Sequence, residues 1–303
     1  MMKNTNTVAG LTGVGRLPLT ANYHFIKSCN FRCLYCYATF SDVIGRPTLP
    51  DDQVLELTGL LAQRYSKVTF VGGEPTLYRR LPELLVTARD KGALTNVVTN
   101  GSRINVEWLH EMSGVLDFLT LSIDSTDPKT HLKVGRATQS GMALTSSDYL
   151  ALADASREHG IAVKVNTVIT TVNAAEDMSA LVKAIGPERW KILQAAPVEG
   201  QNDSFITDLT PSREVFDSYV SRARRALAES RVLIVDEPID VIRGSYIMVA
   251  PHGRFFDSAT GVHHYSSPIL DVGLDEAFAE VAFDRDKFVA RGGEADWTRA
   301  TRG

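Results

Sequence analysis

Two periods organise the first part of the chain. Runs at 22–27, 67–71, 95–99, 118–123, 161–169 and 190–195 alternate polar with apolar residues, the two-residue period of a strand. Between them, 51–64, 81–91, 106–112, 144–159 and 177–185 place apolar residues three or four apart, the period of an amphipathic helix. Strands and helices in alternation imply βα units and a parallel sheet. Six units fall two short of a full eight-unit barrel. The expected fold class is α/β, an open, partial (β/α)6 barrel of TIM type.

After Pro197 the alternation stops. Residues 199–208 read as a loop, and 211–229 as an amphipathic helix ending in Arg222, Arg224 and Arg225, a solvated helix end. From Val232 short strands and turns follow, then short helices at 274–281 and 286–290. With no sharp linker, the expected organisation is a flexible lead over 1–20, a barrel over 21–200, and an α+β extension over 201–303 that packs on the barrel and closes its site.

Several strands are polar on one face only. Lys164 and Asn166 alternate with Val163 and Val165, and Arg189 and Lys191 flank Trp190. Asn22 and His24 alternate with Tyr23 and Phe25, Lys67 and Thr69 with Val68 and Phe70, and Thr120, Ser122 and Asp124 with Leu119, Leu121 and Ile123. Strands of a covered parallel sheet are normally apolar on both faces. A charged barrel interior is costly unless it holds a ligand, so these faces imply a lined cavity. Exposed edge strands would give the same pattern singly, but not on five strands.

Composition narrows the field. The 303 residues are 44% hydrophobic and 22% charged, with net charge −4. That is an ordinary globular mix, with no polyanion-coating surface. No apolar run is long enough to span a bilayer, and the first twenty residues lack a secretory signal. A cytoplasmic protein that binds neither nucleic acid nor membrane is expected.

The three cysteines lie within eight residues, Cys29, Cys33 and Cys36, spaced C-x3-C-x2-C after the first strand. An odd, clustered set is a poor disulfide framework. Thiolates are the ligands of iron–sulfur clusters. Three of them leave one iron of a [4Fe–4S] cubane open, and S-adenosylmethionine can chelate that iron. One electron then breaks the sulfonium bond and releases a 5′-deoxyadenosyl radical. Tyr35 or Tyr37 would shield the cluster and touch the adenine. Zinc held by the three cysteines and His24 is the rival. The second strand ends in Gly72-Gly73-Glu74-Pro75, which resembles the motif of radical-SAM enzymes that meets the methionine amino group. By the same resemblance, Asn100 and Ser122 correspond to groups for the ribose and the methionine carboxylate.

The rest of the chain, from about Asn22 to Trp297, resembles the viperin-like radical-SAM enzymes. The matching stretches are Asn22-Tyr23-His24-Phe25, Lys164-Val165-Asn166, Arg189-Trp190-Lys191, Ser245-Tyr246, the segment from Ser267 to Gly273, and Arg291-Gly292-Gly293. The family's N-terminal membrane-binding helix has no counterpart here, as in the shorter prokaryotic members. The resemblance implies dehydration of a nucleoside triphosphate, CTP or UTP first and GTP also, to its 3′-deoxy-3′,4′-didehydro form. That product terminates a growing viral chain. It implies an external one-electron donor and a nucleotide kinase as partners. Asn22, Lys67, Lys164, Asn166, Arg189 and Lys191 match the triphosphate site, Tyr246 a tyrosine near the ribose, and Arg136 a further basic residue near the site. Independently of the family, a cluster of inward cations suits a polyanion.

Segment 250–266 departs from the animal form, with His252, His263 and His264 in turns, which leaves the base open; these histidines read as solvated loop residues. Two other functions compete: a radical-SAM enzyme acting on a peptide or another small metabolite, and a metal or Fe–S binding protein without chemistry. The absence of further cysteines disfavours families with auxiliary clusters.

Overall fold

The computed structural model describes residues 17–43, 45 and 48–293. The lead over residues 1–16, and the far end of the resemblance at Trp297, lie outside them. Ten strands form one sheet: β1 (Leu17–Ile26), β2 (Tyr65–Gly72), β3 (Leu94–Thr99), β4 (Phe118–Ser122), β5 (Ala162–Ile169), β6 (Arg189–Gln194), β7 (Leu233–Glu237), β8 (Ile247–Val249), β9 (Arg254–Asp257) and β10 (His264–Pro268). Their order is β10-β9-β8-β1-β2-β3-β4-β5-β6-β7. Thus β1 starts inside the segment expected to be a lead, and Leu17 pairs with Tyr65.

The helices following β1 to β5 are α1 (Asp51–Arg64), α2 (Leu81–Asp90), α3 (Val106–Met112), α4 (Pro128–Lys133) with α5 (Ser146–Glu158), and α6 (Ser179–Ile185). Local chemistry sets their ends. Asp51 and Asp52 open α1 and Arg64 closes it, each favourable with the helix dipole. Thr145 and Asp148 form a capping box on α5, and Gly186 ends α6 in the left-handed conformation. Leu57, Leu61, Leu84 and Leu85 on the helices pack against the apolar strand faces, where Tyr23, Val68, Val97, Leu119, Val165 and Trp190 are buried. The core therefore lies between sheet and helices, which leaves the other strand face for the cavity.

The α/β partial barrel stands, with two additions from the C-terminal extension. β7 pairs parallel to β6, and β8 pairs parallel to β1. Eight strands are thus parallel, but β7 and β8 are not ladder partners of each other. The barrel keeps a seam there. β9 and β10 continue the sheet antiparallel beyond β8.

Helices also form where the sequence reading expects none, α4 among them. The expected loop at 199–208 contains a helix, α7 (Asp203–Leu209), with Ile206 and Leu209 buried. Only those two apolar residues face inward, too few to show a period among Gly, Gln, Asn, Asp and Ser. Beyond it, α8 (Arg213–Ala226) ends as expected in exposed Arg224 and Arg225.

Candidate active site

Parallel pairing puts partner residues on the same side of the sheet. Lys67 pairs with Leu94, Thr69 with Asn96, Thr120 with Lys164, Ser122 with Asn166, Lys164 with Arg189, and Asn166 with Lys191. The polar faces therefore converge on one cavity of about 340 Å³, lined from β1 by Thr20, Asn22 and His24 and from β6 by Arg189, Lys191 and Leu193. Every sequence-predicted site residue borders this cavity: Cys29, Cys33, Cys36, Tyr35, Gly72, Gly73, Glu74, Asn100, Ser122, Asn22, Lys67, Lys164, Asn166, Arg189, Lys191, Arg136 and Tyr246.

At the carboxyl end of the strands lies the cysteine loop, held by backbone. The Gly73 amide donates to the Ile26 carbonyl at 2.7 Å, and the Glu74 amide to the Ser28 carbonyl at 2.8 Å. A Cβ on Gly73 would lie 2.1 Å from that Ser28 oxygen, so the approach admits only glycine. From the other side, the Arg32 and Leu34 amides donate to the carbonyls of Gly135 and Val134. Gly135 has φ +70°, and its Cβ would meet the Arg32 oxygen at 2.1 Å. Asn30 joins the Asn100 side-chain amide at 2.9 Å and Ser102 at 2.8 Å.

Two buried carboxylates brace this end. Glu74 accepts from the Thr99 hydroxyl at 2.7 Å and the Asn100 amide at 2.8 Å. Asp124 accepts from the Tyr35 hydroxyl and the Val168 amide, and pairs with Arg136 at 3.2 Å. Arg136 also approaches the Cys33 sulfur at 3.8 Å and donates to the Ser122 carbonyl. It therefore stands against the cysteine loop, on the cavity that the lysines also line.

Burial raises all three thiol pKa values, that of Cys33 to about 12. Alone these groups stay protonated; metal coordination deprotonates a thiol outright. No disulfide joins them, and all three border the same cavity. Among the described residues no three His, Cys, Asp or Glu side chains close on a single ion's position. A cubane gives each thiolate its own iron and does not need them to. The donor set and the glycine-built loop fit a [4Fe–4S] cluster. His24 is buried among Tyr37, Phe40 and Phe256, with ring centroids 5.3–6.1 Å away. Burial lowers its pKa to about 3, so the imidazole is neutral.

The rest of the cavity wall is built from side chains. Phe118 lies against two of the lysines, with Lys164 Nζ 3.3 Å and Lys67 Nζ 5.9 Å from its ring centroid. Arg189 donates to the Gly292 carbonyl at 3.0 Å. Lys191 pairs with Glu237 at 3.0 Å and donates to the Tyr246 hydroxyl at 2.7 Å. Tyr246 in turn donates to Glu237, and Arg291 pairs with the same carboxylate at 3.1 Å. Burial lowers the Lys191 pKa to about 8 against the opposing pull of Glu237. The Glu237 carboxyl is lowered to about 2, because Lys191 and Arg291 outweigh its burial. Burial and Glu237 hold the Tyr246 phenol well above its usual value, so it stays protonated.

Sequence reasoning missed Glu237 and Phe118, and gave no role to Asp124 or Gly135. Position was the available signal: Glu237 ends a strand, where barrel enzymes carry chemistry. The histidines also need correction. His264 is exposed, but His263 is 7% exposed, packed on Phe256 at 4.9 Å and hydrogen-bonded to Tyr265 at 3.1 Å. Phe40, which closes over it from the far end of the sequence, cannot be seen in the turn-rich local context, so its burial stayed hidden.

Residues 23–185 match the Radical SAM superfamily model. The chain is 39% identical over 289 residues to an S-adenosylmethionine-dependent nucleotide dehydratase of Lacinutrix mariniflava, covering 94% of this chain and 60% of that relative's length. A protein of the same description from Flammeovirga pacifica is 39% identical over 92% of this chain and 96% of its own. The S-adenosylmethionine-dependent nucleotide dehydratase RSAD2 of Danio rerio is 31% identical over 93% and 79%. Among solved structures, anSMEcpe with bound AdoMet aligns with a TM-score of 0.65 at 16% identity, covering 90% of this chain and 82% of that one. Streptococcus suis SuiB aligns at 0.62 and 16%, over 93% and 68%; these likenesses speak for the fold alone. Among the described residues no helix is long and apolar enough to cross a membrane. By its family model and its relatives, the chain belongs to the radical SAM superfamily, among the S-adenosylmethionine-dependent nucleotide dehydratases, with a [4Fe–4S] cluster and S-adenosylmethionine as cofactors.

Proposed function

We propose that this enzyme removes water from the ribose of a nucleoside triphosphate, CTP or UTP first and GTP also, to give the 3′-deoxy-3′,4′-didehydro nucleotide, a chain terminator in antiviral defence. The observation that carries the reading is the register of β5 on β6, which sets Lys164 beside Arg189 and Asn166 beside Lys191 facing one cavity. Cations in a water-poor cavity hold a polyphosphate far better than cations on a surface. The relatives' description as nucleotide dehydratases agrees.

In this reading Cys29, Cys33 and Cys36 hold the cluster. Gly72, Gly73, Glu74, Asn100, Ser122 and Tyr35 surround the S-adenosylmethionine, and Arg136 and Asp124 brace that end. Asn22, Lys67, Lys164, Asn166, Arg189 and Lys191 hold the triphosphate. When bound, the cluster and S-adenosylmethionine supply a carbon radical able to take a ribose hydrogen. The residues at the cationic end then fix the ribose with its 4′ hydrogen toward the cysteine end. Once that hydrogen is gone, the 3′ hydroxyl departs as water, which needs one proton and one electron. Tyr246, protonated and beside Lys191, is placed to give the proton, and an external one-electron donor gives the electron. We place the reaction in the cytoplasm, with a nucleotide kinase as a further partner.

The test is a titration with CTP and UTP of the reconstituted protein and of a variant carrying Lys164→Ala and Lys191→Ala. Lost triphosphate binding with an intact cluster spectrum supports the reading. Unchanged binding moves the substrate elsewhere and favours a peptide or other metabolite.

A further inference from the structure

A site meant for a polyanion contains a buried anion. Glu237 is 0% exposed, ends β7, and lies on the same side of the sheet as its partner Leu193, which borders the cavity. It does not border the cavity itself; Lys191, Tyr246 and Arg291 do. Its two oxygens serve all three. Oε1 takes Lys191 at 3.0 Å and Arg291 at 3.1 Å, and Oε2 accepts the Tyr246 hydroxyl. The Arg291 guanidinium covers the Tyr246 ring at 3.9 Å and donates to the Ser245 carbonyl at 2.7 Å.

These partners come from both sides of the barrel's seam. Lys191 belongs to β6, Glu237 to β7, Tyr246 directly precedes β8, and Arg291 follows the helix Arg285–Ala290. No backbone ladder joins β7 to β8. Side chains do that work, and Glu237 is the atom group they share.

We propose that Glu237 is the positioning residue of the triphosphate end: it clasps the barrel seam, sets Tyr246 against Lys191, and keeps Lys191 charged among its cationic neighbours. This rests on the nucleotide reading above and deepens it. Simple Coulomb reasoning says the opposite, that removing an anion from a cationic pocket should tighten triphosphate binding. The geometry decides otherwise. Lys191 faces Glu237 from β7, Tyr246 from the β8 side, Arg291 from the C-terminal segment and Arg189 from its own strand. Both arginines press it to lose its proton, and Glu237 opposes them. Tyr246 faces Glu237, Arg291 and, through the electrostatics, Tyr37.

The experiment uses reconstituted full-length protein and measures kcat and KM for CTP and UTP between pH 6 and 9. Glu237→Gln keeps the shape and removes the charge. Its KM should rise roughly tenfold or more at pH 8 and recover toward the wild-type value at pH 6, where Lys191 regains its proton. Glu237→Asp keeps the charge and shortens the reach. Its KM should hold near the wild-type value across the range while kcat falls roughly tenfold or more, because Tyr246 loses its acceptor geometry. Tighter or unchanged triphosphate binding in Glu237→Gln at every pH overturns the proposal, as does an unchanged kcat in Glu237→Asp. If Glu237→Gln fails to assemble, Glu237→Asp alone decides through kcat. Wild-type protein that binds no triphosphate sinks the nucleotide reading instead, a separate outcome.

Discussion

The two ends of the cavity are made by different means. The cysteine end is fixed by main chain: amides of Gly73, Glu74, Arg32 and Leu34 pin the loop, and Gly73 and Gly135 are required by close approach. The cationic end is fixed by side chains whose direction follows from strand register, with Phe118 against two of the lysines and Glu237 behind. A cluster needs ligands held to a fraction of an ångström, which backbone provides. A triphosphate needs charge from several directions, which long side chains provide. Substitutions at the two ends should therefore separate, since the cysteine loop and the triphosphate cations are held by different hydrogen bonds and ion pairs.

The sharpest separation comes from Cys33→Ala. We expect 5′-deoxyadenosine formation to fall below detection and cluster absorbance to be lost or strongly reduced. Triphosphate binding should survive within roughly threefold, because the charged side chain at Cys33 is Arg136 and not one of the triphosphate cations. Loss of both together would break the comparison. Next, Lys164→Ala and Lys191→Ala should each cost about 1.5–3 kcal/mol of triphosphate binding, the usual value of a hydrogen bond to a charged group. Calorimetric titration reads this, and the iron and sulfide content should stay at the wild-type level.

Legibility in the sequence divides along the same line. The cysteine spacing and the Gly-Gly-Glu turn are local, and both were read. The polar strand faces gave the inward set Asn22, Lys67, Lys164, Asn166, Arg189 and Lys191, because a period of two survives in any register. What stayed hidden depends on contacts between distant elements. Glu237 looks like the end of one more short strand until Lys191, Tyr246 and Arg291 are seen around it. His263 looks like a turn residue until Phe40 and Phe256 close over it. α7 carries too little apolar surface to show a period. Short strands are expected after Val232, but nothing local shows that β7 and β8, of five and three residues, join the barrel in parallel.

Smaller effects refine the picture. Gly73→Ala forces the cysteine loop away from Ser28 and should cost roughly 1–3 kcal/mol of stability, as overpacking does. Thermal unfolding measures it, and cluster yield should drop while triphosphate affinity holds. In the wild type, triphosphate affinity should weaken as pH rises through about 8, because the Lys191 ammonium, lowered by burial, loses its proton there. Below that pH the group is charged and binding is complete. A profile flat to pH 9 would remove Lys191 from the binding set. Phe118→Leu removes the ring against Lys164 and should cost about 0.5–2 kcal/mol of affinity, the range of a cation–π contact, with no change at the cysteine end.

The central claim is that both ends act on one molecule. Its most direct test is anaerobic turnover of the reconstituted enzyme with S-adenosylmethionine and a reductant, offering CTP, UTP, GTP and ATP separately. Mass spectrometry follows 5′-deoxyadenosine and any triphosphate lighter by one water. The account predicts that both appear together, in equal amounts, with CTP or UTP. Deoxyadenosine formed at the same rate with no triphosphate consumed would contradict it, leaving a radical-SAM enzyme whose cationic wall serves another substrate.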